Sequence, residues 1–241
     1  QLVAGETGLV RESEIEPVAT LADADALTAE LTAVGTEALA KTAVIKLNGG
    51  LGTSMGLQKA KSLLPVRDGV SFLDIIARNA IAAQTPLLLM NSFVTDADSL
   101  AALEQYDALV GDLPRSFVQH KEPKVSQSDF SPAEWPQNPQ LEWCPPGHGD
   151  IYTALISSGM LAALLDAGYE YAFVSNADNL GAVIDVKILG YFANGRFPFM
   201  MEVADRTEMD KKGGHLARHA DGHLLLRESA QCHDDDVDAF Q

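Results

Sequence analysis

Short apolar runs alternate with amphipathic segments between residues 42 and 203. The apolar runs predict buried strands at 42–47, 86–92, 115–120, 169–176 and 197–203. Helical spacing of apolar residues predicts helices between them at 71–84, 95–110, 151–167 and 183–194. The first of these helices opens with a capping-box pattern at Ser71 and Asp74. Alternating strands and helices favour an α/β fold around a mixed, mostly parallel sheet.

The two ends of the chain and one internal segment follow other patterns. Residues 1–40 are acidic and rich in alanine, and we expect an N-terminal helical arm there. Residues 121–150 are rich in proline, which predicts a long loop, and a loop of that length inside a domain is usually functional or disordered. Apolar stretches at 215–219 and 224–228 flank Asp221-Gly222 and predict a β-hairpin.

Composition and charge limit the partners. The chain has 241 residues, enough for one large domain, and a formal net charge of −17. This charge argues against nucleic acid or an anionic membrane surface as a partner. No apolar run approaches the roughly 18 residues of a membrane span, and no signal-peptide pattern is present. Two cysteines, Cys144 and Cys232, are too few for a disulfide scaffold and favour a cytoplasmic location.

A glycine-rich segment follows the first predicted strand. Gly49, Gly50, Gly52 and Gly56 let the main chain approach a ligand closely, so that consecutive N–H groups can bind phosphate oxygens. We expect a phosphate or nucleotide site here. A tight strand-to-helix turn is the structural alternative. A dinucleotide fingerprint is a weaker one, because the second strand ends in Asn91-Ser92, without an acidic residue for a ribose hydroxyl.

The same window of the sequence is basic. Residues 41–67 contain no Asp or Glu, and their side chains offer a local positive patch for a small anionic ligand. Its members are Lys41, Lys46, Lys59, Lys61 and Arg67.

Two further polar segments could contact a ligand, and one of them stands at the carboxyl end of a strand, where ligands bind in α/β sheets. His148 lies between Gly147 and Gly149 in the proline-rich loop, and this setting favours a ligand contact over a structural histidine. Asp178 follows the strand 169–176 and is flanked by Asn176 and Asn179. An aspartate so placed is a natural ligand for Mg²⁺, which prefers oxygen, although a helix cap would also use one.

A fourth segment is less specific. Glu202 and the backbone at Gly213-Gly214, after Lys211, could grip sugar hydroxyls, but an ordinary strand and turn would look the same. We interpret the remaining histidines as surface or strand residues. They are His120, His215, His219, His223 and His233.

Six motifs in order resemble the UTP–glucose-1-phosphate uridylyltransferase family, also called UDP-glucose pyrophosphorylases, of the eukaryote-like type. The motifs include LNGGLGTSMG, PLLLMNSF, WCPPGHGD and NADNLGA, and they lie within 47–62, 72–74, 86–93, 143–150, 176–182 and 201–214. The resemblance implies a glycosyltransferase-A-like, Rossmann-like nucleotidyltransferase domain over 41–241. It also implies the reaction of UTP with glucose 1-phosphate to give UDP-glucose and pyrophosphate, with Mg²⁺ as cofactor.

The resemblance also assigns roles to individual residues. UTP would be held by Leu47, Asn48, Gly49, Gly50, Lys61, Gln119, Gly147, Asn176 and Asp178. Among these, Lys61 would contact the phosphates, Gln119 and Gly147 would read the uracil, and Asp178 would bind Mg²⁺. Lys61 and Asp178 are thus the expected catalytic residues. The sugar phosphate would be bound by His148, Glu202 and Gly214.

The sequence also departs from the family pattern. Ala177 stands where the family usually has Ser, and Cys144 where it has an aromatic residue. The family's further phosphate-binding lysine and its C-terminal β-helix are absent from these 241 residues, so we expect an N-terminal portion. Open alternatives are a uridylyltransferase for galactose 1-phosphate or a broader sugar range, a non-catalytic nucleotide-binding fragment and, more remotely, a dinucleotide-dependent oxidoreductase.

Overall fold

The computed structural model describes residues 8–50, 59–205, 207 and 213–240. The chain forms two compact units. The larger unit comprises Thr28–Arg196, and the smaller comprises Gln1–Leu27 with Phe197–Gln241. The predicted boundary between an arm and a domain at residues 40 and 41 coincides with no edge of these units and stays a prediction.

The described residues contain strands and α-helices of modest length. The strands are β1 (Ile15–Pro17), β2 (Thr42–Asn48), β3 (Pro65–Arg67), β4 (Val70–Ser71), β5 (Leu87–Asn91), β6 (Ser116–Val118), β7 (Glu122–Pro123), β8 (Trp143–Cys144), β9 (Tyr171–Asn176), β10 (His215–His219) and β11 (Leu224–Arg227). The α-helices are α1 (Leu31–Leu39), α2 (Phe72–Ala83), α3 (Asp96–Leu103), α4 (Ile151–Ser157), α5 (Met160–Asp166), α6 (Val186–Gly195) and α7 (Val237–Phe240).

A four-stranded sheet of order β6-β5-β2-β9 forms the centre of the larger unit. All three pairings in it are parallel, which confirms the predicted α/β fold. The strands β2 and β5 are buried on both faces, as their continuous apolar sequences predict. Because the strands are parallel, the polar residues that end them meet at one edge of the sheet.

Two apolar clusters cover the two faces of this sheet. Val44 of β2 points to one cluster, whose buried members include Leu73, Ile76 and Ala80 of α2 and Leu103 of α3. Ala43 and Ile45 point to the other, whose buried members include Ile151 and Ala154 of α4 and Met160 and Leu164 of α5. Successive side chains of a strand point to opposite faces, so β2 contributes to both clusters.

The helix predicted at 71–84 is confirmed together with its cap. Ser71 Oγ accepts a hydrogen bond from Asp74 N at 3.1 Å, and Asp74 Oδ2 accepts one from Ser71 N at 2.7 Å. Both bonds satisfy main-chain groups that a helix start leaves unpaired.

Three predicted elements differ in the structure. The helix predicted at 151–167 is two helices, because Gly159 between them takes a left-handed conformation with φ of 77°. The helix predicted at 95–110 ends at Leu103. Residues 197–203 form no strand, and no described strand pairs with them, whereas a strand needs a partner for its main-chain N–H and C=O groups.

The smaller unit contains an antiparallel sheet of order β1-β10-β11. The predicted hairpin is confirmed, and β1 pairs with its first strand from Ile15 to Pro17. This strand lies in the segment expected to be a helical arm, in which the α-helix covers only 31–39. The buried guanidinium of Arg227 donates to Glu12 Oε2 at 2.6 Å and lies 3.5 Å from Asp236 Oδ2, which ties this segment to β11 and to the acidic residues after it.

The described helices are too short to cross a bilayer. The longest has 12 residues, and none combines the length and hydrophobicity of a membrane span.

Helices α1 and α6 cross at two glycines. A Cβ atom on Gly35 would lie 1.7 Å from the carbonyl oxygen of Val186, and one on Gly190 would lie 2.0 Å from the carbonyl oxygen of Leu31. Both obstacles are main-chain atoms, so the helices must separate to admit a side chain. The absence of two Cβ atoms therefore sets the distance between these helices.

Gly35→Ala is expected to destabilise the chain by about 1–3 kcal/mol, the usual cost of overpacking a close contact. The free energy of unfolding, measured by urea denaturation, checks this. Thr36→Ala on the exposed side of the same helix is the control and should stay within about 0.5 kcal/mol of the wild type. Equal midpoints for Gly35→Ala and the wild type would show that the helices do not cross this closely.

Candidate functional site

The polar residues that follow the four parallel strands lie at one edge of the sheet. Asn48 is paired in register with Asn91, and Leu47 with Asn176. Gln119 follows β6, and its N–H donates to the carbonyl of Asn91 at 2.8 Å. The structure therefore brings the predicted residues of β2, β6 and β9 to one edge, because β9 lies beside β2 and only β5 separates β2 from β6.

A buried hydrogen-bond network holds this edge. Asn48 donates both amide hydrogens, to Asn91 Oδ1 at 2.7 Å and to Ser99 Oγ at 2.8 Å. Asp96 Oδ1 accepts from Asn91 Nδ2 at 2.8 Å and from Ser116 Oγ at 2.7 Å. With both hydrogens occupied, the Asn48 side chain can meet a ligand only through Oδ1, and its two bonds join the end of β2 to β5 and α3.

Gly49 packs against the side chain of Gln119. A Cβ atom on Gly49 would lie 1.7 Å from Gln119 Nε2, the end of a flexible side chain, so any residue with a Cβ atom would displace this amide. Gln119 is 5% exposed, and its Oε1 has no hydrogen-bond partner among the described residues. A buried amide oxygen without a partner is costly, and a ligand N–H group is one way to satisfy it.

An ion pair joins the end of the glycine-rich segment to the loop after β9. Lys61 Nζ lies 3.6 Å from Asp178 Oδ2, and each side chain is more than two-fifths exposed. Lys61 N also donates to the carbonyl of Gly50 at 3.4 Å, which closes the loop that begins after β2. The expectation that this lysine and this aspartate face one site is thus consistent with the geometry.

Only part of the predicted basic patch belongs to this site. Lys41 pairs with Glu170 at 2.6 Å, and Arg67 with Asp68 at 3.4 Å. Lys46 is 5% exposed and donates to Ser175 Oγ at 2.6 Å. The patch therefore does not form as a unit, because strand geometry points the Lys46 side chain into one face of the sheet.

The buried Lys46 supports the loop that carries Asp178. Its Nζ also donates to the carbonyl of Ala182 at 3.0 Å and lies over the ring of Phe173, and burial lowers its pKa. The hydrogen bonds to Ser175 and Ala182 join β9 to the segment after Asp178.

Asp150 connects the proline-rich loop to the end of β6. Its Oδ2 accepts from His120 N at 2.7 Å, and its Oδ1 lies 2.9 Å from His120 Nδ1 and accepts from Thr153 Oγ1 at 2.5 Å. Ser157 Oγ lies 3.0 Å from His120 Nε2 on the other side of the ring. The cluster fixes His120, and with it the preceding Gln119, and it holds the Gly147–Asp150 turn beside the sheet.

The pKa of Asp150 is lowered by this environment. Burial of the carboxyl group opposes ionisation, but the hydrogen bonds from Thr153 and His120 outweigh it. The Asp150 side chain is 9% exposed and the His120 side chain 48%, so the carboxylate is shielded from water more than its histidine partner.

The proline-rich loop is ordered by two further features. Gly147 takes φ of 107°, which favours glycine, and precedes the short turn His148–Asp150. Lys121 lies over the ring of Trp143 at 4.5 Å, next to the β7–β8 pairing. His148 itself is exposed.

Some predicted site residues lie elsewhere. Gly52, Gly56 and Lys211 lie outside the described residues. Glu202 and Gly214 belong to the smaller unit, where a Cβ atom on Gly214 would lie 2.9 Å from Leu226 Cγ. Packing against β11 thus gives Gly214 a structural reason to be glycine, and its contact with a sugar stays a prediction.

Sequence reasoning missed the supporting residues. His120 was interpreted as a surface or strand residue and is exposed, but its contacts with Asp150 and Ser157 were not foreseen, and Asp96 was not singled out. The one signal in the sequence was position, since both lie within a few residues of a strand end. Their partners Asp150 and Asn91 could be identified only from the folded chain.

The exposed carboxylate of Asp178 is the best placed metal ligand at this edge. Asn176, two residues earlier, offers an amide oxygen and is also exposed. Mg²⁺ usually takes one or two carboxylates and completes its shell with water and phosphate oxygens. The donor set therefore fits Mg²⁺ bound together with a nucleotide.

The fold and the polar edge of the parallel sheet define an α/β protein with the features of a nucleotide site. Comparison with known proteins makes this specific. The chain belongs to the UTP–glucose-1-phosphate uridylyltransferase family, which matches residues 3–241. The family's potato member (Solanum tuberosum) is 43% identical over 210 residues, or 84% of this chain.

Solved structures agree. The UDP-glucose phosphorylase from Trypanosoma brucei superposes with a TM-score of 0.90 at 44% identity over 100% of this chain and 53% of its own. A variant of the UDP-glucose pyrophosphorylase from Leishmania major, in complex with UDP-glucose, superposes with a TM-score of 0.86. Its sequence is 44% identical, over 99% of this chain and 54% of its own. The chain spans about half the length of these relatives, and 44% of the potato protein.

Asp150→Asn is expected to destabilise the chain at pH 7 by about 1.5–3 kcal/mol, the usual contribution of a hydrogen bond to a charged group. Because the pKa of Asp150 is lower in the folded state, its stabilisation is present above the unfolded value of about 3.9 and is lost as the pH falls through the folded value. The difference between variant and wild type should therefore shrink in acid. Urea denaturation from pH 7 to 3 measures it, with the exposed Asp107→Asn as control. A difference independent of pH would contradict the ionised hydrogen-bond network.

Proposed function

We propose that this chain provides the nucleotide-binding site of an enzyme that transfers uridylyl from UTP to glucose 1-phosphate, giving UDP-glucose and pyrophosphate. The observation that carries the proposal is the Lys61–Asp178 ion pair, 3.6 Å long, beside the glycine segment at the carboxyl edge of the sheet. Family membership supports the choice of reaction. The positive charge of Lys61 suits the phosphates of a nucleoside triphosphate, and the negative charge of Asp178 suits its metal ion.

The residues at the sheet edge have distinct tasks in this proposal. The main chain from Leu47 to Gly50 lies against the nucleotide, and Lys61 neutralises phosphate charge. Gln119 reads the uracil, whose imide N–H suits the unpartnered Oε1. Gly147, with its extended positive-φ backbone, approaches the base from the proline-rich loop. Asn176 contacts the nucleotide from β9.

The chemistry requires positioning rather than a general base. A phosphate oxygen of the sugar phosphate is already ionised at neutral pH, so it can attack the α-phosphorus of UTP directly while pyrophosphate leaves from the opposite side. The bond from the α-phosphorus to the bridging oxygen breaks as the new P–O bond forms. The site must hold two anions close together and stabilise the charge that spreads over the phosphates.

Asp178, with Asn176 nearby, would hold Mg²⁺. The ion supplies neutralisation of phosphate charge when it is bound. In the structure Lys61 occupies the face of Asp178 that a cation would use. We infer that binding of UTP with Mg²⁺ separates this pair, so that lysine meets phosphate and aspartate meets metal.

On the sugar side, His148 belongs to the larger unit, and the assignment of Glu202 and Gly214 to the sugar phosphate rests on the family resemblance alone. His148 is exposed in the ordered turn next to Asp150, where it can face the sugar phosphate. Galactose 1-phosphate and other hexose 1-phosphates are alternative substrates, since the residues described here select the nucleotide more than the sugar. We expect the protein to act in the cytoplasm, where its cysteines, both free, remain reduced.

A nucleotide-binding module without turnover is the second candidate. The chain spans 44% of the length of the potato relative and about half that of the solved structures. Such a module would share the sheet edge and the Lys61–Asp178 pair but would lack a complete set of catalytic groups.

Pyrophosphate release from UTP and a panel of sugar 1-phosphates tests the reaction, with the potato relative as positive control. We expect product with glucose 1-phosphate and a lower rate with galactose 1-phosphate. Equilibrium binding of UTP is measured in parallel, with NAD as competitor. Binding of UTP without formation of product would favour the module. Failure of the chain to bind UTP would overturn both proposals.

Gly49→Ala is expected to raise the Kd for UTP at least about tenfold, equal to 1.4 kcal/mol, because its Cβ displaces the amide of Gln119. Gln119→Ala should weaken UTP binding by a similar factor. The double variant should bind no more weakly than Gln119→Ala, since the clash is then gone. Additive losses in this cycle would show that Gly49 acts independently of Gln119.

Asp178→Asn is expected to raise the Mg²⁺ concentration for half-maximal UTP binding at least about tenfold, because an amide is a weaker ligand for a hard cation. Titration of Mg²⁺ at fixed UTP measures it, with Asp107→Asn as the matched control. An unchanged titration would remove Asp178 from the metal site.

A further inference from the structure

The tip of the β10–β11 hairpin carries three metal-binding side chains within five residues. His219 ends β10, Asp221 lies in the turn and His223 immediately precedes β11. The main chain fixes their spacing, since His219 N donates to the carbonyl of His223 at 2.9 Å and Gly222 N donates to the carbonyl of His219 at 2.8 Å. Arg218 also donates to the carbonyl of Gly222 at 2.8 Å.

The side chains converge on one point. The two imidazole rings are stacked, with centroids 5.0 Å apart and planes at 27°. Asp221 Oδ1 lies 3.1 Å from His219 Nδ1 and in hydrogen-bond contact with His223 Nδ1. One ligand atom from each of the three residues lies within 4.8 Å of the other two.

These distances approach those around a single ion. Zinc binds histidine nitrogen and aspartate oxygen at about 2.0–2.2 Å, so two ligands of one ion lie at most roughly 4 Å apart. A tightly bonded hairpin supplies such ligands from a rigid base, and only side-chain rotation is needed to bring them onto an ion.

The donor set is typical of a transition metal. Two neutral imidazoles and one carboxylate suit Zn²⁺ and its neighbours, whereas Mg²⁺ prefers oxygen alone.

We propose that His219, Asp221 and His223 form a binding site for Zn²⁺ or a similar first-row transition-metal ion, with water completing the coordination. Binding replaces the two contacts between the imidazole rings and Asp221 Oδ1. These contacts are solvent-exposed, so their loss costs little compared with three metal–ligand bonds. The site is independent of the proposed uridylyl transfer and shares no residue with it.

The test is a titration of the purified chain with Zn²⁺ by calorimetry, and with Co²⁺, whose visible absorption reports the coordination number. We expect one Zn²⁺ per chain at this site and the intense absorption of four-coordinate Co²⁺. His219→Ala and His223→Ala should each weaken binding at least about tenfold, since even residues behind the ligands cost 10–100-fold when replaced. Excess Mg²⁺ should not compete.

His233→Ala is the matched control. His233 lies in the same unit and pairs with Asp235, at 3.3 Å, rather than with the hairpin. The substitution His233→Ala should leave the affinity for Zn²⁺ unchanged. Far-UV circular dichroism checks that each variant is folded, and His219→Gln and His223→Gln replace any alanine variant that is not. No Zn²⁺ binding by the wild type, or equal binding by the folded hairpin variants, would overturn the proposal.

Discussion

Strand β2 lies at the centre of the parallel sheet, and its main-chain hydrogen bonds to β5 and β9 fix the positions of three loops at once. The register sets Asn48 opposite Asn91 and Leu47 opposite Asn176. A shift by one residue would turn the alternate side chains of β2 to the wrong faces and take its polar end away from its neighbours. The apolar clusters on the two faces prevent that shift, so core packing and site geometry have the same cause.

Polar side chains that bond to other parts of the chain position much of this edge of the sheet. Asn48 and Asn91 hold each other under a loop whose glycine admits the Gln119 side chain. Asp150 holds His120 and therefore the residue before it. Lys46, buried below, holds the segment after Asp178. Each of these hydrogen bonds is short, but together they connect segments separated by up to 136 positions in the sequence.

The sequence predicted those parts of the fold that depend on local pattern. The central strands, the Ser71 cap and the Asp221-Gly222 hairpin were all predicted from neighbouring residues. The break at Gly159 was missed because glycine is tolerated in a helical pattern, and only its left-handed conformation shows the interruption. The strand β1 could not be foreseen, since its three residues are ordered by a partner some 200 positions later. A strand predicted at 197–203 had the right composition but no partner.

For the site, motif order indicated the sheet edge, while the detailed contacts depended on the folded chain. Lys61 and Asp178, which the resemblance assigns to one nucleotide site, lie 3.6 Å apart. The basic residues around Lys61 were expected to act together, but strand direction and nearby acids separate them. Charge counted along a sequence does not tell where side chains point.

Among the described strands, β9 lies at the margin of the central sheet and has no neighbour on its outer side. Alternate residues of this strand are exposed to solvent, and one of them, Val174, is 42% exposed. An apolar strand margin of this kind can add a strand from another molecule. The net charge of −17 keeps copies apart at neutral pH, and that repulsion fades towards the isoelectric point near 4.5. For these 241 residues, which span about half the length of their relatives, the open margin and the fading repulsion together favour self-association in mild acid.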